Sequence, residues 1–328
     1  MANTLEDVLK KFNKGKENEA VVKMADKTDL KKRTTSTGSP FIDLLTGNGW
    51  AKGGFNLIVA DGGTGKSSKA LLAIKEEQEA TGRIGVYYDG EGTLEDSYIE
   101  RMGVDRSKLL VVRGRNLEEM LDSVELFSKA DDVGVIVIDS IPIFVSSVVE
   151  AKSAGENNMA VEARKYTARM PIIEANCMSR DITLLGLTSY KLDPGAMGDP
   201  RKLPRGLWQY TMANLILDIT KKELLKDDLK NPIGHVLDVR IKKSKLAPYN
   251  PKDVYSVNFY YQGGYNKIEE YVLLLLEKGI IHQGGGGNYT YPNRDGEELK
   301  ARGKEVLMDD LKNDPDTMEY LKSLLNEQ

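Results

Sequence analysis

FNLIVADGGTGKS, residues 55–67, is an apolar run that breaks into a glycine-rich turn closed by lysine and serine, and SSKALLAIKEEQ (67–78) carries it on as a helix candidate. Strand, turn and helix in that order are the setting in which a P-loop works. Backbone N–H groups of the turn converge on phosphate oxygens, and the helix N-terminus adds its dipole. In Ala60, Asp61, Gly62, Gly63, Thr64, Gly65, Lys66, Ser67 and the adjoining Ser68, Lys66 is placed to reach β- and γ-phosphates and Ser67 to offer its hydroxyl to Mg²⁺. Ala60 stands where the pattern G-x-x-x-x-G-K-[ST] has its first glycine; alanine is tolerated there if its φ stays negative. The glycine spacing is that of a mononucleotide loop, not the dinucleotide pattern G-x-G-x-x-G.

Outward from this turn, further apolar runs at 84–88, 134–138, 183–188 and 214–219 alternate with amphipathic stretches. Near-continuous apolar strands alternating with helices predict a parallel sheet covered on both faces. The clearest helix is 117–127, where Leu117, Met120, Leu121, Val124 and Phe127 share a face behind a cap of Asn116 with Glu119. Strands at 235–242 and 254–261 are expected to extend the sheet antiparallel. Beyond Gln262 the pattern turns small and mixed, with a helix at 268–278, GGGG at 284–287 and two short helices, and reads as a separate C-terminal lobe. Two of the strand ends carry acids. GVIVIDS (134–140) ends at Asp139, where a Walker-B carboxylate holds the Mg²⁺ shell. VYYDGEG (86–92) puts Glu91 just past a strand end, the place for a base that orients water, or for a merely solvated loop acid.

Composition limits the rest. The 328 residues are 40% hydrophobic and 29% charged, ordinary for a soluble globular chain. No apolar run is long enough to span a membrane, and the polar start MANTLEDVLKKFNKGKENE is unlike a secretory signal. Cys177 is the single cysteine, so an internal disulfide and a thiolate metal cluster are excluded, and a reducing cytoplasm is expected. A net charge of −4 requires any nucleic-acid site to be a local basic patch. Residues 1–33 are polar and lysine-rich. They hold one helix candidate (Leu5, Val8, Leu9, Phe12) and one short apolar run (Val21, Val22, Met24), together a tail or a docking arm.

TTSTGSPFIDLLTGNGWAKGG (34–54) and DGEGTLEDSYIERMGVD (89–105) resemble the ATPase core of the RecA family of DNA recombinases, bacterial RecA and its phage relatives. The similarity is patchy but collinear over nearly the whole chain. It implies a RecA-type P-loop ATPase core, α/β with a central mostly parallel sheet flanked by helices, at 34–262. An N-terminal polymerisation arm at 1–33 and a small α/β C-terminal lobe at 263–328 flank it. By the same resemblance Glu91 activates water, Tyr98 stacks on adenine, and Glu95 lies near its amine. Lys243 and Lys245 reach the γ-phosphate held by the neighbouring subunit; a lysine-rich edge strand is the plainer reading of the same residues. DNA contacts fall on two loops. The first, 147–165, carries Met159, Ala160 and Arg164; the second, 191–206, carries Lys191, Arg201, Lys202, Arg205 and Gly206. Tyr190 matches the family's glutamine that senses the γ-phosphate, so coupling of ATP to DNA affinity is open at this residue. The divergence suggests a phage or otherwise remote member.

The function this implies is an ATP- and Mg²⁺-dependent recombinase. It would form helical filaments on single-stranded DNA and take double-stranded DNA as exchange substrate, with no membrane partner, in a bacterial cytoplasm or phage-infected cell. Two other readings stand beside it: a ring-forming RecA-core motor of helicase type, and a DNA-binding filament protein with impaired hydrolysis, suggested by Ala60 and Tyr190.

Overall fold

The structure, a computed structural model, describes residues 4–14, 33–151, 159–193, 195 and 200–326. The chain divides into two units, residues 1–33 and 34–328. In the first, helix α1 (Leu5–Asn13) starts at a capping box in which Thr4 and Asp7 satisfy one another's backbone N–H groups. The run at Val21, Val22 and Met24 lies outside the described residues.

In chain order the second unit contains α2 (Pro40–Thr46), β1 (Gly54–Ala60), α3 (Lys66–Thr81), β2 (Ile84–Asp89), α4 (Asp96–Met102), β3 (Leu109–Arg113), α5 (Leu117–Phe127), β4 (Val133–Asp139), α6 (Met159–Arg180), β5 (Thr183–Thr188) and α7 (Trp208–Met212). It continues with β6 (Leu215–Lys226), β7 (Pro232–Ser244), β8 (Tyr255–Tyr260), α8 (Lys267–Glu277), β9 (His282–Gln283), β10 (Asn288–Pro292), β11 (Glu298–Arg302), α9 (Lys304–Asn313) and α10 (Pro315–Asn326).

Strands β1 to β8 form one sheet in the order β8-β7-β6-β1-β5-β4-β2-β3. Pairing is parallel from β6 to β3 and antiparallel for β7 and β8, so the two late strands extend the sheet as their sequence predicts. Strand side chains alternate between two buried layers. Phe55, Leu57 and Val59 of β1 join Leu117, Leu121, Tyr166 and Ile173 of α5 and α6 on one face. Ile58 and Ala60 join Leu71, Ile74, Ile99 and Met102 of α3 and α4 on the other. Burial on both sides is why these strands read as unbroken apolar runs. The cap of α5 is formed as its sequence predicts, with Asn116 Oδ1 accepting from Glu119 N at 2.9 Å.

Residues of α8, β10, α9 and α10 close around a smaller cluster that includes Val272, Leu275, Tyr289, Leu307 and Leu321. Glu270 of α8 reaches back to α2, accepting from Ser39 Oγ at 2.6 Å and Phe41 N at 3.0 Å.

Candidate functional site: a phosphate turn, a carboxylate corner and a basic flank

The glycine-rich turn follows β1, a strand interior to the sheet, and opens α3. Gly63 and Gly65 take φ of 69° and 78°, values that favour residues without a Cβ. Ala60 is not among the positive-φ residues, so the alanine at the first glycine position carries no strain. Thr64 Oγ donates to Asp61 O and closes the turn. Lys66 Nζ donates to Ala60 O at 2.8 Å, Asp61 O at 3.2 Å and Ser189 Oγ at 3.2 Å. Burial pushes the Lys66 pKa down, against the pull of Asp139, Glu91 and Asp61.

Asp139 ends β4, separated from β1 by β5 alone. Its Oδ2 accepts from Ser67 Oγ at 2.6 Å and also from the buried Tyr87 hydroxyl. Burial pushes the Asp139 carboxyl up, while these two donors pull it down. A hydroxyl and a carboxylate oxygen, both hard donors, side by side at the foot of a phosphate turn suit Mg²⁺, which takes few protein ligands and completes its shell with phosphate and water. Ser67 and Asp139 would hold the ion. When bound it would screen phosphate charge.

Glu91 lies beside this corner, its Oε1 accepting from Ser140 Oγ at 3.3 Å. The loop that carries it is shaped by the buried Asp89, whose carboxylate takes the backbone N–H of Gly92 at 2.8 Å, Thr93 at 3.1 Å and Leu94 at 3.2 Å. Tyr98, expected on the adenine, rests against the core beside α3 with its hydroxyl on Ser68 Oγ and Arg101 over its ring at 5.5 Å. Glu95 is the exposed N-cap residue of the same helix.

At the end of β5 the residue bonded to the phosphate-turn lysine is the neighbour of Tyr190. Ser189, not Tyr190, is hydrogen-bonded to Lys66, and it also donates to Ala60 O at 2.8 Å. Tyr190 packs against the other core layer under Arg201, 5.2 Å from its ring. Both residues lie just past Thr188, the last residue of the strand, and there their side chains take different directions.

Sequence reasoning also missed Lys69. Although charged, it is 3% exposed. Its Nζ donates to Thr64 O at 2.9 Å and Gly65 O at 3.3 Å and sits 4.1 Å over the ring of Phe259. Burial first, then the neighbouring Lys66 and Lys221, push its pKa down to about 7.

The expected γ-phosphate lysines lie elsewhere in the sheet. Lys243 pairs with Ile216, whereas Ala60 pairs with Ile219; the lysine is thus set back by about 10 Å along the strands from its own phosphate turn. Lys243 Nζ donates to Tyr210 O at 2.5 Å and Thr211 O at 2.9 Å, and Lys245 Nζ to Met212 O at 3.3 Å. Both therefore cover carbonyls at the end of α7.

The two stretches expected to contact DNA differ from simple loops. Ser147–Glu150 forms one helical turn and α6 begins at Met159, so Met159, Ala160 and Arg164 are helical. The apolar spacing that buries Tyr166, Met170 and Ile173 runs upstream into this segment. In the second stretch Lys191–Leu192 pairs antiparallel with Arg201–Lys202. Lys202 is ion-paired with Asp193 at 2.5 Å, and Arg201 lies 4.0 Å from the buried Asp218. Arg205 is turned inward: it forms an ion pair with buried Glu162 and donates to Pro142 O at 2.9 Å and Phe144 O at 3.4 Å. It acts as a tie between the stretches, not as a cation held out to phosphate. Gly206 beside it has φ 93°.

A phosphate turn on an interior parallel strand, with a carboxylate corner one strand away, defines a P-loop protein with a mostly parallel, doubly covered sheet. The family profile described as the RecA N-terminal domain matches residues 2–266. Protein RecA of Staphylococcus aureus strain JH9 is 27% identical over 326 residues, covering 99% of this chain and 91% of the relative, and Protein RecA of strain Newman matches equally. A crystal structure of the RadB recombinase superposes with a TM-score of 0.54 at 16% identity, over 71% of this chain and 99% of the other, a likeness of fold. The chain belongs to the RecA family, and its function is of the recombinase-family kind. Among the described residues no helix is long and apolar enough to cross a membrane.

Proposed function

We propose that this protein is a DNA-dependent ATPase that assembles head to tail on single-stranded DNA, pairs it with homologous double-stranded DNA and exchanges strands. The observation that carries the reading is the position of two cation groups on one sheet. Lys66 lies at the phosphate turn, while Lys243 and Lys245 lie set back toward the other end of the strands. A phosphate that these two lysines reach therefore belongs more readily to another copy, and a heterologous contact of that kind extends into a helix. Within each site Glu91 orients water, Ser67 and Asp139 hold Mg²⁺, Lys66 neutralises phosphate charge, and Tyr98 with Glu95 receives the base. Residues 1–33 serve as the polymerisation arm, 34–262 as the ATPase core and 263–328 as the C-terminal lobe. Lys191, Arg201 and Lys202, with the start of α6 at Met159, Ala160 and Arg164, form the flank that tracks the DNA backbone without reading its sequence.

The test is ATP hydrolysis with and without single-stranded DNA, for wild type and Glu91→Gln. DNA should stimulate the wild type strongly, and the variant should lose about 10²-fold or more, the range for a positioned base. Equal hydrolysis with and without DNA would reduce the protein to a generic P-loop ATPase. Negative-stain images of the same samples separate a filament from a closed ring.

A further inference from the structure

Lys69 has no part in the reading given so far. It is nevertheless the most thoroughly enclosed cation around the phosphate turn. It stands just behind the N–H groups of Lys66, Ser67 and Ser68 that open α3, which lack intrahelical partners and face the anion. Its Nζ lies on the other side of the turn, donating to the carbonyls of Thr64 and Gly65 at 2.9 and 3.3 Å. In a trans peptide the C=O and the N–H of the next residue point in opposite directions. Holding those two carbonyls from beneath therefore fixes the N–H groups of Gly65 and Lys66 upward. Gly65 O does not need the lysine for its own satisfaction, since it already accepts from Lys69 N at 3.1 Å. What the side chain adds is direction.

The seat of the ammonium is also built. Phe259 presents its ring 4.1 Å from Nζ, within range of a cation–π contact. A Cβ on Gly65 would lie 3.6 Å from the same ring, so Phe259 supports turn and lysine together. Tyr265 holds Phe259 edge-on, with centroids 5.0 Å apart and planes at 84°. Lys221 approaches from the outer side, its Nζ 3.3 Å from where a Cβ on Gly63 would stand. Three ammonium-bearing side chains thus crowd one turn, and Lys66 and Lys221 both disfavour the charge on Lys69.

We infer that Lys69 is a positioning residue for phosphate binding, a strut between Phe259 and the Thr64–Gly65 backbone that presets the amides of the turn for a polyphosphate. The inference rests on the proposed nucleotide site and adds to it a residue that touches no substrate. Either an amine or an ammonium donates these hydrogen bonds, so the strut does not depend on the charge of Lys69.

The experiment compares wild type, Lys69→Met and Phe259→Leu in equilibrium binding of ADP and of adenosine, which lacks the phosphates, together with the thermal midpoint of the nucleotide-free protein. Methionine fills the same channel without a donor, and it removes the desolvation cost of a buried cation. Lys69→Met should therefore bind ADP about tenfold more weakly, with adenosine affinity within about twofold of wild type and a midpoint unchanged or higher. Phe259→Leu should show the same selectivity with a smaller loss, about threefold. Binding of ADP at wild-type strength by both variants would overturn the inference. So would a loss shared equally by ADP and adenosine, or one that follows a fall in the midpoint, since either would make the residue a support of the fold alone. A wild type that binds neither ADP nor ATP would instead overturn the reading of the site itself.

Discussion

Arg205 shows how a single residue can be drawn away from the role its charge suggests. Its φ of 64° lies in the left-handed region, which costs a non-glycine residue about 1 kcal/mol. The guanidinium offsets this by ion pairing with Glu162, whose side chain is 2% exposed. Arg205→Ala leaves that buried carboxylate without a counter-charge, held by Ser146 N at 3.4 Å, so it should lower unfolding free energy in urea by about 3 kcal/mol; adding Glu162→Gln should recover part of the loss. A change below about 0.5 kcal/mol would mean that water already reaches Glu162. Charge and spacing in the sequence identified Lys66, Ser67, Asp139 and Glu91, because the P-loop signature places each relative to a strand end. They gave no sign of the bond from Lys66 to Ser189, which depends on how the chain leaves β5. Nor could they single out Lys69: a lysine on a helix ordinarily lies in solvent, and only the approach of β8 encloses this one.

Among the elements, β5 leaves no room for a side chain at Gly186. A Cβ on Gly186 would fall 2.7 Å from Ile141 Cδ1 and 2.8 Å from Phe55 Cε2. Gly186→Ala should therefore destabilise by about 1–3 kcal/mol through overpacking, read as a lower urea midpoint at unchanged slope. The same packing explains which elements were legible. Strands buried on both faces, such as β1 and β4, announce themselves as apolar runs. Leu109–Arg113, at the sheet edge and partly exposed, offers only the short run LLVV between charged residues, too brief to stand out beside the buried strands. The start of α6 resembles a loop in sequence because Glu162, Arg164 and Lys165 break up the apolar spacing, which becomes regular only from Tyr166.

For the whole molecule two consequences can be measured. Glu270 joins α8 to α2, and burial pushes its carboxyl up to about 7. The unfolded chain ionises this group near its ordinary value of 4.5. Between those values the native state holds more protons, so its contribution to stability falls as pH rises through that window and is level above it. Glu270→Gln should remove this slope and make the protein about 2 kcal/mol more stable at pH 8, with little change at pH 4.5; parallel pH profiles for both proteins would refute it. The second consequence concerns assembly. If Lys243 and Lys245 act on a neighbour's nucleotide, a Lys243→Ala, Lys245→Ala protein and a Lys66→Ala protein, each inactive alone, should regain DNA-stimulated hydrolysis when mixed, because some interfaces then join two intact halves. No recovery at any ratio would place the lysines outside the reaction.

The inward turn of Arg205 also bears on how the basic flank can move. Arg205 stands at one end of the second stretch and Glu162 near the end of the first, in the opening turns of α6. One pin thus joins these two ends, and neither can shift far without levering the other. Tension arriving along a bound strand would be shared between them at once, so the flank should grip and let go in a single stroke, not finger by finger.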